Sequence, residues 1–71
     1  MENKQTIEVS IVVPVYNEED SIKDLFLRIS DTLNRLHKKY EVIFIDDGSI
    51  DSTFNVLKEL SKDSGALKII R

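Results

Sequence analysis

The sequence predicts an α/β chain of order β-α-β-α-β, the N-terminal portion of a doubly wound, mainly parallel sheet. Three observations lead there. Residues 9–16 and 41–45 are apolar runs without strict alternation, the habit of strands covered on both faces. The segments after each run carry apolar residues at helical spacing. A single helix between consecutive strands implies right-handed parallel crossovers.

The first strand reads "VSIVVPVY", an almost continuous β-branched run. Pro14 has no N–H to give a ladder, so it belongs at the strand's end or on an edge side. In the following "NEEDSIKDLFLRISDTLNRLHKKY", Ile22, Leu25, Phe26, Ile29, Leu33 and Leu36 fall on one helical face. Asn17 or Asp20 is expected to cap its start. Glu18, Glu19 and Asp20 suit the positive end of the helix, and His37, Lys38 and Lys39 the negative end. "EVIFI" reads as a second buried strand. After "DDGS", Asp51 or Ser52 opens a second helix with Phe54, Leu57 and Leu60 on one face and Val56 flanking it. Gly65 is expected as its C-cap. "LKII" begins a third strand that ends at Arg71. A polar tail over residues 1–7 and one folded unit over residues 8–71 are the expected domains. An apolar third strand with no partner after it reads as the start of a longer sheet, so the chain is expected to be the N-terminal part of a larger domain.

Composition narrows the function classes. With 71 residues there is room for one small domain. The absence of cysteine excludes a disulfide framework and a thiolate metal site. Ten basic against 13 acidic residues give a net charge of -3, which argues against a nucleic-acid surface. The opening "MENKQTIEVS" lacks the apolar core of a signal peptide, and no run of about 18 apolar residues suggests a transmembrane segment. The expected setting is the cytoplasm.

In open parallel sheets ligands bind beyond the carboxyl ends of the strands. Strand one brings Pro14, Tyr16, Asn17 and Glu18 to that rim, and strand two brings Asp46 and Asp47. A carboxylate accepts hydrogen bonds and donates none, which suits the imide of uracil or the N1/N2 edge of guanine. Tyr16 offers a face for stacking a base or packing a ribose. Glu18 suits ribose hydroxyls, and Gly48 permits positive φ and close backbone approach. Neither G-x-G-x-x-G after strand one nor G-x-x-x-x-G-K-[ST] occurs, so no phosphate cradle of those kinds is present. Each feature also has a plainer use: "DG" is a turn signal, Asp51 a helix cap, Asp46 a loop organiser, Tyr16 a packing residue, and Glu18 and Glu19 helix-end charges.

Together, "VSIVVPVYNEEDSI" and "YEVIFIDDGSIDST" resemble the N-terminal region of the inverting GT-A glycosyltransferases of family 2, most of all the dolichyl- or polyprenyl-phosphate sugar synthases. The resemblance runs over residues 8–71. It implies a Rossmann-like, nucleotide-sugar-dependent transferase in which these residues form the nucleotide-sugar-binding half of the GT-A domain. By motif position Pro14, Tyr16 and Glu18 line the nucleoside pocket. Asp47 bonds base or ribose with Ile45 beside it, and Asp46 is either a further nucleotide-binding residue or the organiser of the loop. Family members often carry "DDGSTDGT"; here Ile50 and Ser52 replace the usual Thr and Gly. The resemblance further implies a UDP- or GDP-sugar donor, a lipid-phosphate acceptor, attachment to the cytoplasmic face of the membrane, and a divalent metal (Mg or Mn). The metal's ligands and the catalytic base are expected beyond Arg71, so no metal site is expected within this chain.

Two other classes compete with this reading. A signalling receiver domain places its acidic pair after the first strand, whereas here the pair follows the second. A non-catalytic, truncated nucleotide-binding or interaction module remains the alternative. For that module, self-association through an exposed sheet edge is the expectation.

Overall fold

The computed structural model describes residues 6–71, so most of the expected polar tail lies outside the described residues. The elements are β1 (Val9–Val15), α1 (Ile22–Arg35), β2 (Tyr40–Asp46), α2 (Thr53–Asp63) and β3 (Leu67–Ile70). The strands form a parallel sheet in the order β1-β2-β3, consistent with the N-terminal portion of a Rossmann-like GT-A sheet. Val15 is the register partner of Asp46, which aligns the carboxyl ends of β1 and β2.

Strand side chains alternate between faces, and one face carries the core. Val15, Val42, Phe44 and Leu67 from the sheet pack with Ile22 and Phe26 of α1 and Leu57 of α2. The Phe26 and Phe44 rings meet edge-to-face at 6.2 Å between centroids, a favoured aromatic geometry. Removing Phe44, which is fully buried, would cost about 3–5 kcal/mol.

Among the described residues, helices cover one face of the sheet and leave the other open. β1 alternates half-buried and exposed residues, with Val12 55% exposed. The sheet advances in one direction, so successive crossovers of one hand set both helices on the same face. Val12, Pro14, Ile45 and Ile70 remain exposed in this structure. Pro14 does sit near the end of a strand that is an edge among the described residues. The Val15 carbonyl accepts the Asp47 N–H, so Val15 turns its polar groups toward β2. Pro14, one residue earlier, faces the free side, and its missing N–H removes no ladder bond.

Helix ends depart from the sequence expectations in instructive ways. The residue preceding α1 is Ser21, without a side-chain cap bond, rather than Asn17 or Asp20. Leu25 and Leu36, expected on the buried face, are exposed, because the helix ends at Arg35 and its buried stripe is Ile22, Phe26 and Leu33. His37 at φ 56° terminates α1: its N–H bonds the Asn34 carbonyl, and that of Lys38 bonds the Leu33 carbonyl. This is a Schellman closure with histidine at the left-handed position. Around α2, the C-cap is Ser64 in extended conformation, and Gly65 is a turn residue beyond it. The outer face of α1 carries the exposed i,i+4 pairs Asp24–Arg28 and Asp31–Arg35, each worth a few tenths of a kcal/mol.

Candidate functional site

The rim is built from the two loops that follow β1 and β2. Parallel pairing sets them side by side, and the Asp47 N–H continues the ladder to the Val15 carbonyl at 3.0 Å. Tyr16, Glu18, Asp47 and Gly48 are all exposed on these loops. Gly48 has φ 79°, a left-handed conformation that glycine adopts without a Cβ clash and that lets the chain leave β2 sharply. Pro14 and Ile45 are register partners, but both project from the sheet face opposite the core, Ile45 at 36% exposure.

The adjacent carboxylates have opposite environments, because successive residues of a strand point to opposite sides. Asp46 is 2% exposed, and its Oδ1 accepts the Ser49 N–H at 2.9 Å, closing the turn. Its Oδ2 has no hydrogen-bond donor; the Arg71 Nε stands 3.7 Å away, an ion-pair separation too long for a hydrogen bond. Asp47 is exposed, and among the described residues its carboxylate has no partner and is open to a ligand. The chemistry open to Asp47 is acceptance of N–H or O–H donors from outside the protein.

Beneath the displayed groups, the two loops are tied together by side chains. The Asn17 N–H donates to Ser49 Oγ at 2.9 Å, and Asn17 Oδ1 accepts the N–H groups of Ile50 at 2.9 Å and Asp51 at 3.3 Å. The Glu18 N–H donates to Thr53 Oγ1 at 2.7 Å. Glu19 Oε1 accepts the Ser52 N–H at 2.7 Å, and the Glu19 N–H reaches Asp51 Oδ2 at 3.3 Å. Glu19 was expected to sit as a charge at its own helix end; it reaches across to the start of α2. Asn17, expected as a cap, holds φ 52° and bonds the opposite loop. Glu18 Oε1 accepts the Ser21 hydroxyl at 3.0 Å.

Thr53 is the buried centre of this latch, 0% exposed, its hydroxyl donating to Asp51 Oδ1 while accepting from Glu18. Desolvation pushes the Asp51 carboxyl up. Hydrogen bonds from the Thr53 hydroxyl and N–H, then from the Glu19 and Asp51 N–H groups, outweigh it and hold the carboxyl below its usual value.

Sequence reasoning missed the parts played by Thr53 and Arg71 and the cross-loop bonds of Asn17 and Glu19. Thr53 carried no signal, since a threonine at a helix start looks ordinary. The bonds of Asn17 and Glu19 join residues more than thirty positions apart. Arg71 follows β3, donates from Nη2 to the Ser49 carbonyl at 3.2 Å, and lies over the Phe54 ring at 4.3 Å from its centroid. A basic residue at the carboxyl end of a third parallel strand was its available signal.

A separate apolar cavity of about 270 Å³, lined by Ile11, Arg28, Ile29, Thr32 and Leu33, lies between β1 and α1. It lacks the converging polar groups of a ligand site and is remote from the rim. Among the described residues, no three His, Cys, Asp or Glu side chains form a metal-holding group. Asp46 is turned inward onto the turn and Asp47 outward, so the pair does not supply a metal donor set.

Comparison with known proteins agrees with the fold. Residues 10–71 match the family described as "Glycosyl transferase family 2". The chain is 43% identical over 65 residues to "Uncharacterized glycosyltransferase sll0501" of Synechocystis sp. (strain ATCC 27184 / PCC 6803 / Kazusa), covering 92% of this chain and 20% of that protein. It is 39% identical over 67 residues to "Undecaprenyl-phosphate 4-deoxy-4-formamido-L-arabinose transferase" of Edwardsiella ictaluri (strain 93-146), covering 93% of this chain and 21% of that protein. The chain thus spans about a fifth of the length of these relatives.

Proposed function

The chain belongs to glycosyl transferase family 2, and from that premise we propose that residues 8–71 supply the nucleoside-binding half of an inverting, nucleotide-sugar-dependent transferase. One observation carries the reading: the carboxyl ends of β1 and β2 meet, and they display Tyr16, Glu18, Asp47 and Gly48 together above an internally bonded loop pair. Asp47 accepts from the N–H edge of the base or from ribose. Tyr16, 51% exposed, gives a stacking face. Gly48 lets the backbone approach closely. Glu18 keeps one carboxylate oxygen on Ser21 and offers the other to ribose hydroxyls. Pro14 and Ile45 form the apolar floor beside these groups, and Asp46 holds the turn through Ser49.

The proposed donor is a UDP- or GDP-sugar, and the acceptor a lipid phosphate, supported by the similarity to an undecaprenyl-phosphate transferase. The acceptor oxygen attacks the anomeric carbon, and the bond to the nucleoside diphosphate breaks with inversion. The base that takes the acceptor's proton is placed outside this chain. A divalent metal, Mg or Mn, is proposed for the complete enzyme, where it would stabilise the departing diphosphate. Among the described residues the acidic side chains form no donor set for it, and its ligands are proposed to lie elsewhere in the complete enzyme. With a lipid-phosphate acceptor goes a proposed location at the cytoplasmic face of a membrane. Among the described residues no helix is long and apolar enough to cross one.

The test is turnover by the full-length protein, with UDP- and GDP-sugars supplied alongside polyprenyl phosphate and Mg or Mn. Sugar transferred to the lipid, with release of one nucleoside diphosphate, is the expected result. Failure to consume either donor under any metal would sink the reading. The non-catalytic alternative draws on the exposed Val12, Ile45 and Ile70, an apolar face suited to self-association. It predicts concentration-dependent association of the protein on a calibrated sizing column and no donor turnover.

A further inference from the structure

Asn17 lies between two displayed residues, Tyr16 and Glu18, yet its own polar groups are turned to the neighbouring loop. It adopts φ 52°, a conformation that non-glycine residues take at a cost and that persists where surroundings over-determine it. Three bonds hold it there: the N–H to Ser49 Oγ, and Oδ1 to the N–H groups of Ile50 and Asp51. Without that side-chain oxygen, the amides of Ile50 and Asp51 would lose a protein partner. Those bonded amides lie just after Gly48, in the loop that carries Asp47.

We propose that Asn17 is a positioning residue for nucleoside binding, fixing the loop of Tyr16 and Glu18 against the loop of Asp47 and Gly48 without touching the ligand. The inference rests on the nucleoside reading of the rim. Its physical basis is preorganisation: a base held between a stacking face on one loop and a carboxylate on the other needs both at fixed separation. Freezing two loops at the moment of binding lowers affinity. Glu19 and Thr53 continue the same latch toward α2, so the Asn17 bonds are its end nearest the displayed groups.

The side chain and the backbone strain can be separated. Asn17→Gly keeps the left-handed backbone accessible and removes only the acceptor. Asn17→Asp retains an acceptor at the same reach. In the full-length protein, calorimetric titration with UDP and with GDP is read beside amide hydrogen exchange. Asn17→Gly is expected to bind the preferred nucleotide about tenfold more weakly, through loss of a neutral hydrogen-bond pair and its preorganisation. Exchange should rise at Ile50 and Asp51 while Val42 and Phe44 in the core stay protected. Asn17→Asp should recover most of the affinity.

Wild-type affinity in Asn17→Gly would overturn the positioning role. So would weakened binding accompanied by faster exchange throughout the core, which assigns Asn17 to fold stability alone. If the wild-type protein binds neither nucleotide, the nucleoside reading itself falls and takes this inference with it. If it binds and only the variant comparison fails, the reading of the rim survives.

Discussion

The two ends of the sheet are connected in different ways. At the carboxyl end, the loops after β1 and β2 are joined by side chains of Asn17, Glu19, Ser49, Asp51 and Thr53. At the amino end, the backbone bonds of His37 and Lys38 close the connection from α1 to β2, one side chain (Glu8, accepting the Lys39 N–H at 3.0 Å) and the Lys39 carbonyl tie it to the entry of β1, and Ser64 contacts to Ala66 and Leu67 close the one after α2. Both ends contain a non-glycine residue at positive φ: Asn17 at one, His37 at the other. At His37 the conformation ends a helix; at Asn17 it joins two loops. The difference teaches where most of the loop-joining polar side chains are invested: beyond the strand carboxyl ends, where parallel sheets bind ligands.

The largest break in that comparison comes from the buried members of the carboxyl-end loops. Thr53→Val keeps the shape but leaves the Glu18 N–H without its partner, and is expected to destabilise by about 2 kcal/mol. Asp46→Ala should cost a similar amount, about 1–3 kcal/mol, by removing the acceptor of the Ser49 N–H. Urea unfolding midpoints of the full-length variants check both. Asp47→Ala, one residue on, is expected within about 0.5 kcal/mol of wild type, since its exposed side chain holds nothing in the fold. A shift for Asp47→Ala as large as that for Asp46→Ala would erase the distinction between displayed and structural carboxylates.

Glycine substituted at the two positive-φ residues sharpens the comparison at a smaller scale. His37→Gly should stabilise by roughly 0.5–1 kcal/mol, because the Schellman bonds are backbone bonds and glycine removes the left-handed penalty. Asn17→Gly gains the same relief and loses its acceptor, so its net change should be near zero or destabilising by about 1 kcal/mol. Thermal denaturation of the pair reads the difference; equal stabilisation at both sites would contradict the role assigned to the Asn17 side chain.

The smallest expected effect is that of pH on the latch. The folded Asp51 carboxyl is held below its unfolded value, so its contribution to stability is present above the unfolded carboxylate value of about 3.9 and is lost as pH falls through the folded one. Asp51→Asn should flatten that part of the acid-denaturation curve. An unchanged acid limb would remove Asp51 from the account.

The strands, both helices and the meeting of β1 with β2 were legible because periodicity and the one-helix crossover are local patterns. Asp46 and Asp47 were legible as a pair, and their division of labour follows from strand alternation. The open sheet face was legible only from the strand order of a half-sheet, not from the strands' own composition. An apolar run says that a strand suits two covered faces, while the one-way order β1-β2-β3 decides that both helices fall on one. The latch was illegible for another reason: "NEE" ahead of a helix has a complete local explanation as helix-end polarity, and only the tertiary register brings it to "SIDST". Arg71 likewise had no role until β3 was placed beside β2.

The measurement that tests the central claim most directly is amide hydrogen exchange across the full-length protein, with and without UDP and GDP. The account predicts new protection at residues 16–18 and 47–49 with one of the two nucleotides, while residues 36–39 and 64–66 at the opposite end of the sheet stay unchanged. Protection confined to the opposite end, or none with either nucleotide, would contradict the assignment of the carboxyl-end rim as the nucleoside site.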